Sequence, residues 1–239
     1  MNCLIIAAGK GSRLNEVDSP KPLVNINNKP LIEYIIDNVI TIGVNRILVI
    51  TGYQSELITK KLQHFNEIKN AQIECLYNPD WEEGNGISVL TAKKQIKEPF
   101  LLLMSDHLFV PSMLEQLAST PLNRNETILG VDQYIDNNPL IDLDDVTRVK
   151  VKHDKIENIG KHIEDYNAFD TGMFLSSSYL FKALEKAKQE GDNSLSGGMR
   201  ILLEENLAKV KALKQARWID VDTPQMLEKA KTLINQGLL

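Results

Sequence analysis

The 239-residue chain has only two cysteines, Cys3 and Cys75, and neither belongs to a C-x-x-C pair. That excludes a disulfide scaffold and a thiolate metal centre. Both fall in stretches that read as strands and are expected to be buried apolar thiols in a reducing compartment. No apolar run approaches the length of a bilayer span. The short run Leu4–Ala8 near the N-terminus lacks the cationic leader of a signal peptide. A cytoplasmic protein without a membrane span is expected. There is no block of Lys or Arg, and the net charge is −5. Nucleic acid is therefore excluded as a partner, since neutralising its phosphates needs a basic face. Repeats and low-complexity tracts are absent. So is any Ser-His-Asp or Cys-His set for covalent catalysis.

What is present is an ordinary globular composition, with 43% apolar and 25% charged residues. The first half alternates strand and helix signals. Cys3–Ala8, Arg46–Thr51, Gln72–Tyr77 and Phe100–Met104 read as buried strands. Pro30–Ile42, Ser55–Phe65 and Asn85–Lys97 read as the helices between them. The second half gives strands at Thr127–Val131, Thr147–Val151, Lys155–Ile159 and Phe169–Leu175, the middle two forming a hairpin around His153-Asp154. Helices follow near Ser178–Gln189, Ser194–Leu207 and Pro224–Ile234. The expected fold is α/β: a single domain, 1–239, with a Rossmann-like, mostly parallel mixed sheet and helices on both faces. The C-terminal part is expected to lie over that sheet. Asp132–Asp145 reads as a long acidic surface loop.

The most informative stretch is Ala7-Ala8-Gly9-Lys10-Gly11-Ser12-Arg13-Leu14, followed by Pro20-Lys21-Pro22-Leu23. A buried strand delivers a glycine-rich turn at its carboxyl end, where open α/β sheets bind ligands. Glycine lets backbone N–H groups approach a phosphate. Lys10, Arg13 and Lys21 supply three cations suited to a triphosphate. Leu14 stands where a dinucleotide fingerprint needs glycine, and no Walker A string occurs.

L-I-I-A-A-G-x-G-S-R-L with a following K-P-L resembles the NTP-transferase family of sugar nucleotidyltransferases. The resemblance implies that Ala7, Ala8, Gly9, Lys10, Gly11, Ser12 and Arg13 hold the nucleotide, and that Lys21 steadies its phosphates during transfer. Asp106 follows a fully apolar strand and so faces the same sheet edge. Asp222 lies in the late string Trp218-Ile219-Asp220-Val221-Asp222-Thr223-Pro224. The resemblance makes Asp106 and Asp222 the ligands of Mg2+, which favours a few carboxylates plus phosphate oxygens. Asp220 shares a face with Asp222 on an extended segment and is readily confused with it. Thr223 or Asp222 could also cap the helix opening at Pro224. His107 is expected to pack or shape the site rather than bind metal.

Glu82-Glu83-Gly84-Asn85-Gly86-Ile87-Ser88 resembles the CTP-using branch, in particular the inositol-1-phosphate cytidylyltransferases. M-S-D-H at 104–107, I-G-K at 159–161 and Y-N-A-F-D-T-G at 166–172 extend that likeness. It implies nucleotide contacts from Gly84, Asn85 and Ser88. It also implies acceptor contacts from Lys161, Asp170, Thr171 and Gly172. The NTP-binding part would be about 1–110 and the acceptor part about 111–239. The expected partners are CTP and a small phosphorylated alcohol. Catalysis would be in-line displacement at the α-phosphorus, with Lys21, Arg13 and Asp106 as the catalytic set. Phosphocholine, 2-aminoethylphosphonate, or a sugar 1-phosphate with UTP remain open as alternatives. So does a non-catalytic nucleotide sensor on the same fold. Asp142, Asp144 and Asp145 could form a cation-attracting lid. A homodimer is left open. The chain ends at Leu239 on a soluble helix, so any membrane transferase fused in some relatives is expected to be a separate protein.

Overall fold

The computed structural model describes residues 1–14, 19–69, 71–136 and 138–239. Residue 137 of the acidic loop lies outside them. The strands are β1 (Asn2–Ala7), β2 (Asn25–Ile26), β3 (Lys29–Pro30), β4 (Arg46–Thr51), β5 (Gln72–Tyr77), β6 (Phe100–Met104) and β7 (His107–Phe109). They continue with β8 (Thr127–Asp132), β9 (Arg148–Lys152), β10 (Lys155–Gly160), β11 (Ala168–Ser176), β12 (Ala208–Ala212) and β13 (Trp218–Asp220). The helices are α1 (Leu31–Thr41), α2 (Ser55–Ile68), α3 (Asn85–Thr91), α4 (Pro111–Ala118), α5 (Leu180–Gln189), α6 (Leu195–Glu204) and α7 (Pro224–Asn235).

Nine strands form one mixed sheet in the order β5-β4-β1-β6-β11-β8-β12-β10-β9. The four strands β5, β4, β1 and β6 are parallel, with Ile6 level with both Ile50 and Met104. Their carboxyl ends therefore share one edge. β11 runs antiparallel to β6, pairing Met173 with Leu103 and Ser176 with Phe100. Its amino end, at Asp170, thus arrives at that same edge.

The alternation of β1 explains the two faces. Leu4, Ile6 and Ala8 pack with residues of α3, α5 and α6. Cys3, Ile5 and Ala7 pack with α1, α2 and α4 on the other side. Strands buried on both faces need apolar residues at every position, as CLIIA and FLLLM supply. A third cluster joins Leu14, Leu108, Ile219 and Val221 to Met226, Leu227 and Ala230 of α7.

The structure revises several expectations. The C-terminal strands widen the sheet instead of covering it. α3 stops at Thr91 because the chain tightens into turns, with Lys93 N–H bonding Leu90 O and Gln95 N–H bonding Ala92 O, both 3.0 Å. α6 ends at Glu204, short of the expected Leu207, and the chain enters β12, which pairs with β8. Sequence reading also passed over α4, the two-residue β2 and β3, β12, β7 and β13. The last two are three-residue strands, too short for periodicity, and pair antiparallel with His107 opposite Asp220.

Candidate active site

A cleft of about 440 Å³ opens at the carboxyl edge of the parallel strands. Its wall includes Gly9, Gly11, Ser12, Arg13 and Lys21 from the glycine-rich segment and Asn85 from the start of α3. Asp106, Asp170, Gly172, Lys161, Asp220 and Asp222 line it as well. Gly11 has φ +63°, and a Cβ there would stand 2.6 Å from Lys21 Cβ. The turn therefore needs glycine so that Lys21 can lie beneath it.

Lys21 is 7% exposed. Its Nζ donates to Asp106 Oδ2 at 2.6 Å, contacts Asp222 Oδ1, and stands 3.8 Å from Asp220 Oδ1. Arg13 donates to Asp145 Oδ2 at 2.9 Å and also contacts Asp222 Oδ2. Lys161 Nζ reaches Asp145 Oδ1 at 2.5 Å. Asp145, on the acidic loop, thus bridges the two half-exposed cations. Burial would raise its carboxyl, but hydrogen bonds from Arg13 and Lys161 outweigh that and hold it below the usual range.

The β7–β13 pairing places the distant aspartates side by side. Val221 N–H bonds Asp106 O at 2.9 Å and locks the two segments together. Thr223 caps α7 by accepting from Met226 N–H at 3.2 Å, which leaves Asp222 free to face the cleft. Asp106 Oδ1 accepts from His107 Nδ1 at 2.7 Å. Burial alone would lower the His107 imidazole, but Asp220 and Asp106 raise it to about 9. Asp220 Oδ1 is buried and accepts no hydrogen bond among the described residues. An orphaned carboxylate oxygen is costly unless a cation or water meets it. Oxygens of Asp145, Asp220 and Asp222 lie within 4.8 Å of one another, as do ligand atoms of Asp106, His107 and Asp220. These acidic groups could hold a divalent metal, and their oxygen donors suit a hard cation.

The family model for a MobA-like NTP transferase domain matches residues 3–141, more than half the chain. The chain belongs to that family. It is 30% identical over 234 residues to a bifunctional IPC transferase and DIPP synthase of Thermococcus kodakarensis. That match covers 97% of this chain and 50% of the relative. A protein of the same name from Aquifex aeolicus is 29% identical, covering 95% of this chain and 50% of that one. The chain thus spans about half the length of the curated relatives it matches. The solved inositol-1-phosphate CTP transferase of T. maritima superposes with a TM-score of 0.86 at 28% identity, covering 98% of this chain and 95% of that one. The UDP-glucose pyrophosphorylase structure, at 18% identity and TM-score 0.81, shares the fold.

Not every residue expected at the site lies on the cleft. Ala7 and Ala8 are buried in the strand end, where Ala8 O accepts from Tyr53 N–H. Lys10 is exposed, its Nζ 5.7 Å from the centre of the Tyr53 ring. Ser88 is 2% exposed and accepts from Asn78 Nδ2 at 3.0 Å, so it braces α3 rather than facing a base. Gly84 and Gly86 do allow close approach, but to protein backbone: a Cβ at either would stand 2.7 Å from Asn193 O. Thr171 is buried and donates to Gly130 O at 2.7 Å. Asp170 and Gly172 remain on the wall. Burial pushes the Asp170 carboxyl up to about 6, against the Gly172 N–H bond and the charge of His107. Sequence reading gave Asp220 and His107 no active part, and pattern alone offered no signal for either beyond adjacency. Among the described residues no helix is long and apolar enough to cross a membrane.

Proposed function

We propose that the chain is a Mg2+-dependent cytidylyltransferase that moves CMP from CTP to a small phosphorylated alcohol, most plainly inositol 1-phosphate, and releases pyrophosphate. The observation carrying this reading is the meeting of Lys21 and Arg13 with Asp106, Asp220 and Asp222 under the glycine-rich turn. The names of the T. maritima and Thermococcus relatives support the choice of base and acceptor.

The nucleotide would lie over Gly9, Gly11, Ser12 and Asn85, in the part formed by residues 1–110. The acceptor would approach from Lys161, Asp170 and Gly172 in the later part, with Thr171 fixing that wall to β8. The acceptor phosphate is already anionic at neutral pH, so no general base is needed. Its oxygen forms the new bond to the α-phosphorus as the bond to the β-phosphate breaks. Arg13 and Lys21 neutralise charge as it shifts to the leaving pyrophosphate. Lys161 orients the incoming phosphate and holds it in line. Asp106 and Asp222, joined by Asp220 with its unsatisfied oxygen, would hold Mg2+. The ion when bound supplies charge neutralisation at the phosphates and a fixed template.

The test is pyrophosphate release with CTP, UTP, ATP and GTP against inositol 1-phosphate, phosphocholine, 2-aminoethylphosphonate and glucose 1-phosphate, with and without Mg2+. Release confined to CTP with inositol 1-phosphate is expected. Release with another acceptor would replace the substrate and keep the reaction. Nucleotide binding without release from any pair would turn the reading to a sensor.

A further inference from the structure

Behind Asp106 and His107 runs a line of contacts that leaves the cleft. The His107 ring lies against Trp218, with centroids 5.4 Å apart and planes 13° apart. A Cβ at Gly172 would stand 2.7 Å from His107 Cδ2. The ring is therefore in close contact with both the indole and the backbone at Gly172. Trp218 is buried, and its Nε1 donates to Asp132 Oδ2 at 3.1 Å. Asp132 is 2% exposed and lies off the cleft wall. Its remaining bonds come from Tyr134 N–H to Oδ1 at 2.9 Å and Asn138 Nδ2 to Oδ2 at 3.3 Å. Among the described residues every donor to it is neutral. Burying a carboxylate without a cation is costly, and a packing role alone would be better filled by an apolar side chain.

We propose that Asp132 is a positioning residue for the transfer reaction: it fixes the Trp218 indole, which orients His107, which in turn sets the direction of the Asp106 carboxylate. The inference rests on Asp106 as a metal ligand. Only an acceptor can satisfy all three donors at once, and both carboxylate oxygens are engaged. An amide in its place must turn an NH2 toward one of them. Facing Trp218 Nε1, the NH2 removes the indole's acceptor; facing Tyr134 N–H, it sets two donors against each other and displaces the side chain from the indole. A ligand held by such a partner shell is presented at one angle, and loss of one partner commonly weakens metal affinity 10–100-fold.

Three variants test this: Asp132→Asn, Trp218→Phe, which keeps a ring but removes the N–H, and Asp106→Asn. Mg2+ affinity is measured by calorimetry without substrate, and the His107 Cε1 proton is followed by NMR, since the neighbouring indole shifts it. In Asp132→Asn the His107 resonance is expected to move. In both Asp132→Asn and Trp218→Phe the Mg2+ affinity should fall about tenfold, and kcat should fall while KM for CTP holds. A folded Asp132→Asn with unchanged resonance and affinity, whatever its Tm, overturns the proposal. If Asp132→Asn does not fold, Trp218→Phe decides, and unchanged Mg2+ affinity there overturns it equally. Should Asp106→Asn bind Mg2+ like the parent, the metal reading fails instead, and the His107 resonance still decides the role of Asp132.

Discussion

The proposed role of Lys21 as a catalytic charge is joined by a structural one. Lys21 bridges aspartates that come from the middle and the C-terminal part of the chain. Sequence alone suggests that Lys21→Met would lose turnover and fold normally. The structure argues for a further effect, because methionine would leave Asp106 and Asp222 without the cation between them. Turnover is expected to fall at least about a hundredfold, and Tm to fall in metal-free buffer. Added Mg2+ should restore part of that Tm. Normal turnover, or a Tm loss that Mg2+ leaves untouched, would count against this arrangement. Asp170 gives a pH signature. Its folded carboxyl, pushed up to about 6 from near 3.8, binds its proton more tightly than the unfolded chain does. Ionisation therefore costs stability above pH 6, and the cost disappears below about pH 4. Asp170→Asn keeps the acceptor for Gly172 N–H. It should be roughly 1–3 kcal/mol more stable than the parent at pH 8, with the gap closing toward pH 4. A gap independent of pH in thermal melts would refute this.

At the scale of elements, the acidic loop and the start of β11 do the work that loop length and strand pattern left open. Asp145 pairs with Arg13 and Lys161, the cations proposed to meet the substrates' phosphates. Of the three loop acids proposed as a lid, Asp142 and Asp145 line the cleft and Asp144 does not. Exposed ion pairs are worth about 0.5–1 kcal/mol, so Asp145→Asn should lower KM by about two- to fivefold. A rise in KM would mean that Asp145 itself serves the substrates. Gly172 has φ +71° and abuts the His107 ring. Gly172→Ala should cost ~1–2 kcal/mol from backbone strain alone and reduce kcat, as read by melts and steady-state kinetics. The elements themselves were mostly legible, because long apolar strands and amphipathic helices write their period into the chain. β12, with its alternating AKVKA, and α4, opening at Pro111, carried readable signals that the neighbouring stronger patterns masked. β7 and β13 did not, since three residues hold no period and their pairing is entirely long-range.

For the molecule as a whole, ligand binding should appear as stability. CTP with Mg2+ at a hundredfold excess over Kd adds about 2.7 kcal/mol, which for a chain of this size raises Tm by about 5–10 °C. No shift at saturating CTP would remove the nucleotide from the proposal. The amino-acid sequence by itself determined the α/β class, the parallel first half, the glycine-rich turn with its cations, and the position of Asp106 at a strand's carboxyl end. Those follow from local spacing and from the rule that parallel strands end at one edge. Only the tertiary structure decided which of Asp220 and Asp222 keeps a free oxygen, and that Ser88, Gly84 and Thr171 serve the scaffold. It alone placed Asp145 between Arg13 and Lys161, and set Asp132 behind Trp218. Each of these depends on contacts between segments tens to hundreds of residues apart, and such contacts leave no periodic trace along the chain.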